Sequence, residues 1–98
     1  ERLYADGFPG WDVEHGGVMQ TSLMMEYFPD YVHPEQIIDQ EAAQLPLYDL
    51  LPVDPSLTPD SGCLSSGRPA SAEKGRILAA SIVDGMSSAV RERFQTRA

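Results

Sequence analysis

From Val18 to Phe28 the apolar residues Met19, Leu23, Met24, Tyr27 and Phe28 recur at intervals of three and four. That spacing gathers side chains on one face of an α-helix, and Pro29 marks its end. Residues 71–94 carry the longer pattern. Leu78, Ile82, Met86, Val90 and Phe94, flanked by Ala79, Val83 and Ala89, form a single stripe. Ser71 is placed as an N-cap and Glu73 falls in the first turn. Arg91, Arg93 and Arg97 lie near the far end, where cations complement the helix dipole.

Little else in the chain is periodic. Residues 1–16 read as a loop, and Gly7, Gly10, Gly16 and the adjoining Gly17 let the backbone turn or approach a ligand closely. Asp30 to Glu41 reads as extended, with a turn at Pro34 and a short strand expected at Gln36–Asp39. Across residues 42–70 five prolines interrupt Leu47, Tyr48, Leu50, Leu51 and Val53, which excludes a helix or a central strand there. Two amphipathic helices and a long apolar loop offer each other little surface to cover. The expected partner is a β-sheet in a part of the protein outside these 98 residues.

Charge and composition narrow the function classes. Fifteen acidic and seven basic residues give a net charge of −8, which argues against nucleic acid or an anionic membrane as partner. Through Asp60 there are twelve acids and one base, and after it three acids and six bases. Acid-rich loops kept in water and an exposed helix account for that split as solubility. No apolar run reaches membrane-spanning length and none has a signal-peptide pattern. The single cysteine, Cys63, has no internal disulfide partner, so a reducing, cytoplasmic setting is expected. The chain opens on Glu1 rather than Met and is read as one part of a longer protein.

The segment Gly7-Phe8-Pro9-Gly10-Trp11-Asp12-Val13-Glu14-His15-Gly16-Gly17 concentrates the chemistry. His15 can accept and donate a proton near neutrality. Asp12 and Glu14 are close enough to bind a cation or orient an imidazole. Trp11 offers a flat face to a planar or cationic ligand. Paired glycines before a helix bring N–H groups and the positive dipole end towards any developing negative charge. Residue chemistry alone leaves two readings open: a functional loop, or a loop packed on its own helix.

The run Gly10-Trp11-Asp12-Val13-Glu14-His15-Gly16-Gly17, followed by Thr21-Ser22-Leu23-Met24, resembles the creatininase (creatinine amidohydrolase) family. The likeness continues through Phe28-Pro29-Asp30, Leu47-Tyr48-Asp49, Val53-Asp54-Pro55, Leu64-Ser65-Ser66, Ala70-Ser71 and Glu73-Lys74-Gly75. It implies an α/β, three-layer fold to which this chain supplies C-terminal helices and active-site loops. Residues 1–98 would then be the C-terminal part of one creatininase-type domain. The implied activity is reversible hydrolysis of creatinine to creatine with two divalent metals, zinc and manganese. Their ligands are expected in the N-terminal remainder, and none is assigned here. By the same resemblance Trp11 covers the substrate, Asp12 holds its amidine-like nitrogens, His15 passes a proton to the leaving ring nitrogen, and Glu14 orients or charge-balances these groups. The family also implies a homohexamer. One departure stands out: the family usually places Glu before Thr-Ser, and this chain has Gln20. Gln keeps an acceptor and loses the charge. Either catalysis is tuned by that difference or Gln20 replaces a structural hydrogen bond.

Other candidates are weaker. His33 has no acid or Cys at ligand spacing, Met19, Met24 and Met25 suit packing, and Cys63 has no neighbouring base. Ser65-Ser66-Gly67-Arg68 lacks the spacing of a phosphate loop and reads as a connector. Tyr48 and Asp49 suit a pocket mouth. Two rival functions remain beside the leading one: hydrolysis of another cyclic amide or a formamide, and a binding module without turnover.

Overall fold

The computed structural model describes residues 3–5 and 7–94. Two helices dominate it: α1, Val18–Tyr27, and α2, Ala72–Phe94. Short 3₁₀ turns lie at Trp11–Val13, Pro29–Tyr31, Pro34–Gln36 and Pro55–Leu57. Arg97, expected to complement the end of the second helix, lies outside the described residues.

The start of α2 follows its sequence. Ser71 Oγ accepts the Lys74 N–H at 3.1 Å, satisfying one of the donors that a helix start leaves open. Glu73 falls in the first turn, and Arg91 and Arg93 in the last. At the far end of α1 the Phe28 N–H reaches the Met24 carbonyl at 2.8 Å, and Pro29 cannot continue the ladder.

The buried side of α1 differs from the expected stripe. Val18 and Ser22 are buried, whereas Met24, Tyr27 and Phe28 are exposed. The reason is the close crossing with α2. Ser22, only 1% exposed, accepts the Ser71 N–H on its hydroxyl at 3.2 Å. A Cβ placed on Gly75 would stand 2.1 Å from the Ser22 carbonyl oxygen. Small residues therefore sit where the backbones meet, and the long apolar side chains point elsewhere. Arg76 Nε and Glu26 Oε1, 3.5 Å apart, flank the crossing at the surface, where such pairs add little. Beyond Leu78 the stripe of α2 is uncovered: Ile82, Met86, Val90 and Phe94 are all exposed.

No strand forms among the described residues, so the expected strand at Gln36–Asp39 is corrected. Pro34 starts a 3₁₀ turn through Gln36, and the chain beyond it pairs with a loop. The Ile38 carbonyl accepts from Gly67 N at 3.3 Å and Ser66 Oγ at 3.3 Å. Gln40 Nε2 donates to the Cys63 carbonyl at 2.9 Å, and Ala43 N to the Leu64 carbonyl at 2.8 Å. The proline-rich segment is thus irregular, as its sequence requires, but its end is firmly held. Among the described residues the buried hydrophobic ones are Val13 and Val18, and Val18 lines a cleft with Asp39, Gln40 and Ser65.

The crossing yields a direct test. Gly75→Ala gains helix propensity of about 1 kcal/mol, but its methyl meets backbone that cannot move aside. Denaturant unfolding of the whole protein should show a net loss of about 1–3 kcal/mol. An unchanged or raised midpoint would contradict the crossing.

Candidate functional site

The chemistry-bearing loop alternates in a way that sequence did not show. Trp11, Asp12 and His15 are exposed, while Val13 and Glu14 are buried. The 3₁₀ turn at Trp11–Val13 produces this, closing with Val13 N to the Gly10 carbonyl at 3.3 Å. Asp12 folds back over Gly10, whose φ of 126° and missing side chain it requires; a Cβ there would lie 2.6 Å from Asp12 Oδ1. Trp11 is 76% exposed and meets Phe8 edge-on, with ring centroids 5.0 Å apart. Phe8 in turn lies 5.1 Å from the ring of Tyr4.

Glu14 anchors the loop. It is 8% exposed, and both of its oxygens have donors. Oε1 accepts the Met19 N–H at 2.6 Å, in the first turn of α1, and Oε2 accepts the Tyr4 hydroxyl. A carboxylate at a helix N-terminus meets both open donors and the positive dipole end. Burial first, then the hydrogen bond and charge of Glu14, push the Tyr4 phenol far above the ordinary tyrosine range. Tyr4 therefore stays a donor. Nothing in the sequence had singled it out.

The glycine pair does not hold its N–H groups open to a ligand. Gly16 N donates to Gln20 Oε1 at 2.6 Å, and Gly17 N to the Glu14 carbonyl at 2.8 Å. With Met19 N taken by Glu14, these N–H groups are satisfied internally, which corrects the expected anion-facing role. The glycines serve close packing instead. A Cβ on Gly16, whose φ is +69°, would stand 2.7 Å from Cys63 Sγ, and one on Gly17 would stand 2.6 Å from Ser65 Oγ. Leu64 N donates to the His15 carbonyl at 2.9 Å, so the loop at 63–65 fixes the backbone that carries the imidazole. Ser65 is buried, and its hydroxyl has no partner among the described residues.

Gln20 now has a visible contact. At the third position of α1 it reaches back to the Gly16 N–H, one residue before the N-cap Gly17. Among the described residues no group of three or more His, Cys, Asp or Glu could hold a metal ion. His33 lies 3.8 Å from Glu35 on the surface. A cleft of about 280 Å³ is lined by Tyr4, Pro9, Val18, Gln40 and Ser65 among others, but not by Trp11, Asp12 or His15.

Residues 5–90 match the family model of creatininase, creatinine amidohydrolase. The chain belongs to the creatininase family. It is 48% identical over 94 residues to creatinine amidohydrolase of Pseudomonas putida, covering 96% of this chain and 36% of that protein. A mutant creatininase of Zn-Zn type superposes with a TM-score of 0.92 at 47% identity, over 97% of this chain and 37% of the other. A mutant creatininase complexed with creatine gives the same TM-score of 0.92 and 47% identity, again over 97% and 37%. The chain thus folds as the matching part of a creatininase and spans little more than a third of the relatives' length.

The Gln20 contact can be tested apart from activity. Gln20→Ala should lower stability by about 0.5–1.5 kcal/mol, the net worth of one hydrogen bond, while Gln20→Glu keeps an acceptor and stays within about 0.5 kcal/mol. Equal unfolding midpoints for Gln20→Ala and the parent would remove that stabilising role.

Proposed function

We propose that the whole protein hydrolyses a cyclic amide, creatinine, to creatine, and that this chain supplies the loop that covers the substrate and moves the proton. The observation that carries the reading is the division within that loop. Trp11, Asp12 and His15 are exposed on a backbone that Glu14, Gly16 and Gly17 hold rigidly. Its match to creatininases, one of them complexed with creatine, supports the choice of substrate.

In this reading Trp11 lies over the flat ring, and the Asp12 carboxylate accepts hydrogen bonds from its amidine-like N–H groups. Water oxygen bonds to the ring carbonyl carbon and the ring C–N bond breaks. His15 takes a proton released by that addition and returns it to the leaving nitrogen. Glu14, already holding two donors, keeps the His15 backbone in place and balances charge from within the loop. Two divalent metals are proposed for the complete enzyme. The residues of this chain do not fit a metal centre: Glu14 is committed to Tyr4 and Met19, and no donor cluster exists among the described residues. The metal ligands are accordingly assigned to the N-terminal remainder.

That remainder also supplies, in this proposal, the sheet of a three-layer α/β domain, covering the exposed stripe of α2. Leu47, Leu51 and Val53, exposed on the proline-rich loop, are assigned to contacts between copies in a homohexamer. A cytoplasmic setting suits the free Cys63, and no helix among the described residues is long and apolar enough to cross a membrane. Because Gln20 departs from the family pattern, related cyclic amides and formamides belong in the same assay.

Purified whole protein should convert creatinine to creatine, and His15→Ala should lower turnover by about 10²–10⁴-fold, the usual contribution of a general acid–base group. Metal content should be unchanged. Failure to turn over creatinine while a formamide or another cyclic amide is hydrolysed would move the substrate; no turnover of any would leave a binding module.

Trp11 separates a lid from a packed residue. With 76% of its surface exposed, Trp11→Ala should leave stability within about 0.5 kcal/mol yet lose most activity, and Trp11→Phe should keep part of it. A core role would cost about 3–5 kcal/mol of stability instead. Unfolding and turnover measured on the same two variants decide between them.

A further inference from the structure

Tyr4 joins the two ends of the loop. Its hydroxyl donates to Glu14 Oε2, one residue from His15, and its ring lies 5.1 Å from Phe8. Phe8 then meets Trp11 edge-to-face at 5.0 Å and 74°. Resting on the creatinine-hydrolase reading above, we propose that Tyr4 is a positioning residue with two separable parts. The hydroxyl locks the Glu14 carboxylate, and with it the backbone that carries His15. The ring, acting through Phe8, sets the resting place of Trp11.

The first part follows from how Glu14 is held. Its Oε1 is fixed on Met19 N at 2.6 Å, so Oε2 needs its own donor to stay buried. Tyr4 is that donor, and burial and the neighbouring carboxylate keep its phenol protonated across the neutral range. The Glu14 side chain is then pinned at both oxygens, and the His15 carbonyl is tied to Leu64 N at 2.9 Å. Thus the peptide on each side of the imidazole is restrained.

The second part follows from the exposure of Trp11. A tryptophan so open to water has few contacts to choose its rotamer. An edge-to-face aromatic pair biases such a choice by roughly two- to tenfold. Phe8 is itself exposed, and its pairing with the half-buried Tyr4 ties it to the anchored part of the loop. The row Tyr4, Phe8, Trp11 therefore transmits position outward from Glu14 to the lid.

The test uses the whole protein and separates the parts. Tyr4→Phe removes the hydroxyl and keeps the ring, so kcat should fall about tenfold with KM little changed, and the Met19 amide should exchange with deuterium faster. Phe8→Ala keeps the hydroxyl and breaks the row, so KM should rise several-fold with a smaller change in kcat. It should also shift the ¹⁹F resonance of 5-fluorotryptophan at Trp11, identified by its absence in Trp11→Phe. The exchange and ¹⁹F readings need no substrate, so they decide on Tyr4 even if the parent proves inactive on creatinine, an outcome that would sink the functional reading alone. Parental kcat and parental Met19 exchange in Tyr4→Phe would overturn the hydroxyl's role, including where that variant merely melts lower. Should Tyr4→Phe not fold, Phe8→Ala still decides the ring: parental KM and an unmoved ¹⁹F resonance would overturn it.

Discussion

A carboxylate leaves water at a cost of several kcal/mol unless donors replace its hydration, and Glu14 is buried with a donor on each oxygen. Much of the loop depends on that. The Met19 N–H is one of the donors a helix start leaves unmet, so the same contact satisfies α1 and neutralises part of the buried charge. The Tyr4 hydroxyl completes the set and draws the segment before the loop onto it. Removing either donor would leave a buried charge short of partners, which is why the two contacts act as a unit. Trp11, Asp12 and His15 are displayed outward because their neighbours Val13 and Glu14 are held inward.

Close backbone approach is the second constraint, and it operates at two places. At the loop, Gly16 and Gly17 let residues 63–65 come within a distance that any side chain would block. At the helix crossing, Gly75 lets α2 come against the backbone of Ser22, whose hydroxyl then meets the Ser71 N–H. The two are coupled through α1, since Glu14 and Gln20 serve its first turn and Ser22 lies one turn further. A shift of α2 against α1 would therefore be felt at the loop that carries His15.

Much of this was legible beforehand, and the misses have physical causes. The boundaries of both helices followed from Pro29, Ser71 and the periodic apolar residues, because caps and stops are local signals. The loop Gly10–Gly17 stood out because Trp, Asp, Glu, His and Gly in one run are chemically unusual, and the family resemblance rested on the same residues. The buried face of α1 was misplaced because periodicity weighs apolar size, while a close crossing selects small residues such as Ser22. The strand at Gln36–Asp39 was misread because extended backbone that pairs with a loop leaves the same local pattern as one that pairs with a strand. Tyr4 was missed since its partners lie four and ten residues away, and no period links them.

Gln20 illustrates how a neutral side chain can serve a helix start that already carries a buried acid. A helix start already carrying the Glu14 carboxylate has its dipole largely complemented. A second acid at Gln20's position would add little stability, because the two charges would share one helix end and repel. Gln supplies the oxygen that Gly16 N needs without that repulsion. Folding alone therefore gives no reason for a glutamate there. The hydrogen bond that shapes the loop is thereby made without adding a second charge to the helix start.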